Sequence, residues 1–186
     1  MKNAIFLDRD GVLNKDTNLI HKKEDIIILP KVKEALELLK KDFLLIVITN
    51  QPVIARGLIT EKGIEEINNN LNSQLDNLIN KFYFCPHHPN ADLIEFRKIC
   101  DCRKPSSGMI LKAKDDFNID LKNSWMIGDM PSDIACGKNA GVKTILTKSE
   151  NNNKIIESDK KFDGSKPDHI FDDLYKAAKF IVKKDQ

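Results

Sequence analysis

The sequence predicts an α/β fold in three layers, a parallel sheet with helices on both faces. Two observations predict it. Short apolar runs, rich in β-branched and aromatic residues, recur without polar alternation, as strands buried on both faces do. Between them lie longer segments whose apolar residues fall on one helical stripe. Strands alternating with helices build a parallel sheet.

Taken in order, Ala4 to Leu7 is the first strand and stops abruptly at Asp8. Pro30 signals a helix whose stripe is Val32, Ala35, Leu36, Leu38 and Leu39. Leu44 to Ile48 is the second strand and ends at Thr49 and Asn50. Ile64, Ile67, Leu71, Leu75, Leu78 and Ile79 predict one long helix. Phe82 to Phe84 is the third strand. The stretch from Cys85 to Lys104 has weak periodicity and reads as a loop. Met109, Ile110, Ala113 and Phe117 stripe the next helix, and Trp125 to Ile127 is the fourth strand. Ser132 to Ala140 is a short helix closed by Gly141. Val142 to Leu146 is the fifth strand. Lys148 to Pro167, rich in Asn, Ser and Lys, reads as a surface loop. Phe171, Leu174, Tyr175, Ala178, Ile181 and Val182 predict a terminal amphipathic helix.

Composition bounds what such a fold could do. At roughly 150 residues per domain, 186 residues predict a single domain over 1–186. Thirty Lys and Arg against 28 Asp and Glu leave a formal charge of +2. A field that weak gives no reason to expect nucleic acid or a membrane surface as partner. No apolar run approaches the ~20 residues of a membrane span, and charge arrives too early at the N-terminus for a signal peptide. A cytoplasmic protein is expected, and nothing demands more than a monomer.

Three of the four cysteines, Cys85, Cys100 and Cys102, share a stretch of 18 residues with His87 and His88. In a reducing compartment such a cluster points to a metal rather than a disulfide. Cys85, His87, Cys100 and Cys102 make a closed four-ligand set of the kind structural zinc takes. The zinc loop is expected over about 85–104. Cys136, among small residues, reads as core.

The polar residues at the strand ends carry the chemistry. Ligands in open α/β sheets bind beyond the carboxyl ends of the strands. There the sequence places Asp8-Arg9-Asp10-Gly11, Thr49-Asn50 and Gly128-Asp129, with Asp133 four residues on, and Lys104 precedes a helix. A carboxylate such as Asp8 can attack phosphorus and split a hard displacement into two steps. Asp10 can protonate the leaving alkoxide and then deprotonate water. Carboxylate and phosphate repel, so a bridging Mg²⁺ is expected on Asp8 and Asp129. Lys104 and Thr49 would stabilise the phosphoryl oxygens.

Asp8-Arg9-Asp10-Gly11-Val12-Leu13-Asn14, Thr49-Asn50-Gln51, Cys102-Arg103-Lys104-Pro105 and Gly128-Asp129 with Ser132-Asp133 resemble, in order, the four motifs of the haloacid-dehalogenase-like superfamily in its phosphatase form. Ile54-Ala55-Arg56-Gly57 and the double His of Cys85-Pro86-His87-His88-Pro89 are most similar to the heptose 1,7-bisphosphate 7-phosphatases; histidinol-phosphate phosphatases are the sibling group. The resemblance implies a Rossmann-like core without a large cap domain. It implies a Mg²⁺-dependent phosphatase working through an aspartyl-phosphate on a sugar bisphosphate, in nucleotide-activated heptose synthesis for surface polysaccharide. A histidinol-phosphate phosphatase is the alternative, and a phospho-Asp signalling module a more distant one.

Carried over residue by residue, the resemblance makes Asp8 the nucleophile and a Mg²⁺ ligand. Asp10 becomes the acid/base, with its backbone carbonyl on Mg²⁺, and Asp129 a further Mg²⁺ ligand. Thr49 and Lys104 hold the phosphoryl group. Arg103 contacts the distal phosphate or sugar, with Asn50 and Asp16 as further substrate contacts. His87, rather than His88, is the zinc ligand. Two departures stand out: Pro52-Val53 replaces the usual Ser-Gly, and Met130 stands where a Lys commonly follows the motif-four Asp.

Overall fold

In the computed structural model, which describes residues 1–17, 19–149 and 166–184, the apolar runs become one six-stranded sheet. The strands are β1 (Ala4–Leu7), β2 (Leu44–Asn50), β3 (Lys81–Cys85), β4 (Trp125–Gly128), β5 (Lys143–Thr147) and β6 (His169–Phe171). Their order is β3-β2-β1-β4-β5-β6, with every pairing parallel. The helices are α1 (Val32–Leu39), α2 (Pro52–Ala55), α3 (Glu61–Gln74), α4 (Gly108–Phe117), α5 (Pro131–Ala140) and α6 (Leu174–Lys184). The chain winds from β1 out to β3, then restarts beside β1 at β4. The gap between the carboxyl ends of β1 and β4 is therefore the switch point, where crossovers part and a crevice opens.

Side-chain alternation along the strands sorts the core into two layers. Ile5, Leu7, Leu45, Val47, Trp125 and Ile127 face the layer that holds the apolar stripes of α1, α3 and α6. Phe6, Ile46, Ile48 and Met126 face the opposite layer, with Met109, Ile110 and Ala113 of α4 and Cys136 of α5. The three-layer arrangement follows directly, and β1, fully buried, is covered on both faces. Among the described residues no second sheet is inserted between these elements. Cys136 and Trp125 are buried as core.

The structure departs from the sequence expectations in several places. The long helix expected through Ile79 ends at Gln74. Asp76 and Asn77 take left-handed backbone, with φ of 51° and 55°, so the chain turns, while Leu75 and Ile79 still bury their side chains. Phe171, expected on the terminal helix, closes a sixth strand instead, and the helix begins at Leu174. That strand is three residues long and Ile170 is 47% exposed, so it lacks the apolar run that marked the others. The fifth strand starts at Lys143 rather than Val142. The short α2 was not anticipated; Pro52, an unusual residue in its motif, occupies its first turn, where its missing N–H costs nothing. Most of the expected surface loop of 148–167 lies outside the described residues.

Candidate active site

Four connections deliver side chains to the switch point. β1 ends at Leu7, so Asp8 leaves the sheet at its carboxyl edge, and its backbone N–H still bonds the Ile127 carbonyl of β4 at 3.0 Å. β4 ends at Gly128, and Asp129 follows. Two glycines make the crowding possible. A Cβ on Gly11, whose φ is +85°, would lie 2.2 Å from Asp129 Oδ2, and one on Gly128 would meet Asp133 Cβ at 2.2 Å. Asp8, Asp129 and Asp133 thus bring carboxylate oxygens within 4.8 Å of one another, all buried.

Lys104 reaches this group from the loop before α4. Its Nζ lies 2.8 Å from Asp8 Oδ1 and 2.6 Å from Asp133 Oδ1, and it donates to the Ile48 carbonyl at 3.0 Å. Burial would disfavour its charge, but Asp133 and Asp8 hold its pKa above the ordinary value. Asp133 spends its other oxygen on the Met130 N–H at 3.0 Å. It therefore serves Lys104 and the start of α5, leaving Asp8 and Asp129 to face a cation. An all-oxygen, crowded carboxylate set suits a hard divalent ion such as Mg²⁺.

The electrostatics make the same point. Burial, with the Asp133 and Asp10 charges and against the pull of Lys104, pushes the Asp8 carboxyl up to about 7. Burial and the charges of Asp8 and Asp133 push Asp129 up to about 8. Both values stand above the ordinary 3.8, so without Mg²⁺ these two carboxyls bind more protons in the folded state than in the unfolded chain between about pH 4 and pH 8. Their contribution to the stability of Mg²⁺-free protein, prepared without a chelator, should therefore fall as pH rises through that window. Melting curves of wild type and Asp129→Asn over that range check this: the variant should show the shallower fall, and Mg²⁺ at pH 8 should raise the wild-type Tm. An Asp129→Asn profile as steep as wild type would contradict it.

Asp10 sits apart from that group in a set of donors. Arg9 Nε and Asn14 Nδ2 donate to its Oδ1 at 3.0 and 2.9 Å; Arg9 Nη2 and Gln51 Nε2 donate to its Oδ2 at 2.9 and 3.0 Å. Burial alone would raise its pKa, but the Arg9 guanidinium and these bonds hold it below the usual carboxylate range. Thr49 is buried, and its Oγ1 accepts from Gln51 Nε2 at 2.9 Å, which leaves the hydroxyl proton to be donated toward the cleft.

Asp8, Asp10, Thr49, Lys104 and Asp129 line one cleft of about 380 Å³. Asp16, Asn50 and Arg103 line it as well. Asn50, expected to touch substrate, is occupied otherwise: its Oδ1 accepts from the Lys104 N–H at 3.0 Å and its Nδ2 donates to the Lys104 carbonyl at 3.1 Å. It holds the backbone that carries Lys104. Several lining or supporting groups have no role in the sequence expectations, Gln51 and Asn14 beside Asp10 and three more. Arg56 and His88 stand on the cleft wall near Arg103. Burial, then the charges of Arg103 and Arg56, lowers the His88 pKa. Arg9, wholly buried, is the third; its place between two aspartates was the available signal. Met130 is 37% exposed at the cleft rim.

Behind the cleft, Cys85, His87, Cys100 and Cys102 converge with ligand atoms within 4.8 Å of one another. Cys100 Sγ lies 3.5 Å from Cys85 Sγ and 3.2 Å from Cys102 Sγ, and His87 presents Nδ1 to Cys102 Sγ at 3.3 Å. No cysteine is bridged. Three sulfurs and one imidazole nitrogen fit tetrahedral zinc with no position left over. His88 lies outside this set and turns its Nδ1 to the Asn90 N–H at 3.1 Å. Arg103, next to Cys102, donates to the His87 carbonyl at 3.0 Å, so the same loop aims a cation into the cleft.

A HAD-hydrolase-like family model matches residues 101–177. The D-glycero-D-manno-heptose-1,7-bisphosphate 7-phosphatase of Chlorobaculum tepidum is 37% identical over 185 residues, covering 94% of this chain and 91% of that protein. The D-glycero-beta-D-manno-heptose-1,7-bisphosphate 7-phosphatase of Escherichia coli K12 is 42% identical over 149 residues, covering 77% and 78%. Among solved structures, the D,D-heptose 1,7-bisphosphate phosphatase from B. bronchiseptica, complexed with magnesium and phosphate, superposes with a TM-score of 0.83 at 27% identity, covering 99% of each chain. With 37% identity to the Chlorobaculum tepidum protein over nearly the whole length, the chain belongs to the D-glycero-D-manno-heptose-1,7-bisphosphate 7-phosphatase family of HAD-like hydrolases.

Proposed function

We propose that the protein is a phosphoric monoester hydrolase that removes the 7-phosphate of D-glycero-D-manno-heptose 1,7-bisphosphate. The observation that carries this is the pairing of Asp8 and Lys104 at the switch point, beside Asp129 and within one cleft with Asp10. Asp8, Asp129 and the Asp10 backbone carbonyl would hold Mg²⁺, which when bound neutralises the repulsion between carboxylate and phosphate.

In the first half-reaction an Asp8 oxygen bonds to phosphorus as the bond to the sugar oxygen breaks. Asp10 gives that oxygen its proton. Thr49 and Lys104 donate to the phosphoryl oxygens as charge builds. In the second, Asp10 takes a proton from water, which attacks phosphorus and releases Asp8 and inorganic phosphate. Arg103, with Arg56 and His88 beside it on the wall, faces the substrate's second phosphate. The zinc loop acts as scaffold for Arg103 and Lys104 and takes no part in the chemistry. The chain acts as a single domain and needs no partner subunit for any of these steps.

The second phosphate separates this reading from histidinol-phosphate hydrolysis, because histidinol phosphate has no second phosphate for Arg103 to meet. Side-by-side kcat/KM values should favour heptose 1,7-bisphosphate by roughly 10⁴-fold, the scale of discrimination a dedicated polar contact supplies. A preference for histidinol phosphate would assign the sibling activity instead.

A further inference from the structure

Among the described residues Arg9 is the largest fully buried charged side chain, and no step above uses it. Its guanidinium faces four acceptor atoms on three side chains. Nε and Nη2 take the two oxygens of Asp10 as a fork, at 3.0 and 2.9 Å. Nη2 also donates to Gln51 Oε1 at 3.0 Å, and Nη1 to Asn68 Oδ1 of α3 at 3.1 Å. A buried guanidinium is costly to desolvate, and its planar fork has a fixed geometry. The arrangement therefore sets the direction of the Asp10 carboxylate against α3, an element outside the cleft.

The direction has a consequence for the two half-reactions. Both Asp10 oxygens receive two N–H donors each, from Arg9 with Asn14 and from Arg9 with Gln51. The fork from Arg9 fixes the direction in which Asp10 meets the cleft, while Asn14 and Gln51 are the donors that can give way to a proton. The second half-reaction depends on that direction, since Asp10 must take a proton from the attacking water. The first depends on it only where the leaving oxygen needs a proton.

We infer that Arg9 is a positioning residue for the second half-reaction: it holds Asp10 as the base that drives hydrolysis of the phosphorylated Asp8. This deepens the reading proposed above and rests on it.

The test separates formation of phospho-Asp8 from its hydrolysis, with p-nitrophenyl phosphate as substrate and Mg²⁺ present. Nitrophenolate leaves without help from an acid, so its burst reads formation, and the steady-state rate reads hydrolysis. Arg9→Lys keeps the charge but loses the fork. It should keep a burst near one equivalent per folded site while the steady-state rate falls by roughly 10²-fold, within the range for a general base. Acid-quenched Arg9→Lys should carry more phosphate on Asp8 than wild type. Asn68→Leu leaves Asp10 untouched and removes only the far anchor of Arg9; it should show the same split, more weakly, and serves if Arg9→Lys does not fold. A purely structural role would shrink burst and steady state together, and that result, or unchanged hydrolysis in both variants, overturns the inference. Absence of phosphate on Asp8 in wild type as well would overturn the covalent mechanism, and this inference with it.

Discussion

Asp8→Asn should reduce turnover of heptose 1,7-bisphosphate by roughly 10⁴-fold or more, the scale of loss when a covalent nucleophile is removed. The amide keeps the size of the carboxylate and loses its nucleophilic charge. The variant should fold. Asp8 lies in a buried cluster with Asp129 and Asp133. Burial first, and then the charges of Asp8 and Asp133, push Asp129 up to about 8, and removing the Asp8 charge relieves part of that. Without Mg²⁺ at neutral pH, Asp8→Asn should therefore melt no lower than wild type. Phosphate-release assays read the first outcome and melting curves the second. Activity within tenfold of wild type would remove Asp8 from the nucleophile's role.

Loss of zinc is the other large effect expected. Purified protein should hold about one zinc per chain, since Cys85, His87, Cys100 and Cys102 would close a single tetrahedral site. Structural zinc contributes free energy comparable to the whole stability of a domain. Cys102→Ser, or stripping with a strong chelator, should lower Tm by about 10 °C or more and lower turnover with it. The coupling is geometric: Cys102 precedes Arg103 and Lys104, and Arg103 bonds the carbonyl of His87, itself a ligand. A zinc-free protein with unchanged melting would refute the site.

The fold was legible in the sequence wherever burial is two-sided. β1, β2 and β4 have an apolar side chain at nearly every position, so their runs stand out and stop sharply where function begins. β6 was not legible, because an edge strand of three residues shows no run. The end of α3 was not legible either: the stripe of Leu75 and Ile79 continues in space after the helix has stopped, and only the left-handed backbone of Asp76 and Asn77 ends it. In the candidate site, the residues at strand tips stood out in the sequence and share one cleft. Those that contact other side chains behind them did not. Arg9 stands in the sequence only as part of Asp8-Arg9-Asp10-Gly11, and nothing there shows that its guanidinium grips Asp10. Asn50 read as a substrate contact, though it spends both polar atoms on the Lys104 backbone. Asp133 was visible in its motif, but its hold on Lys104 required β4, α5 and the zinc loop in one place.

That hold has a bearing on product release. A lysine whose only purpose were to grip phosphate would be left as a bare buried cation each time phosphate departs, and the product would be reluctant to go. Lys104 is never in that position. Asp133, the Ile48 carbonyl and Asp8 all pair with it in the empty cleft, and in the proposed mechanism Asp8 would return to it once dephosphorylated. The resident partners would lower what the departing anion must leave behind, so that such a site could stabilise a phosphoryl group in transit without becoming a trap for inorganic phosphate.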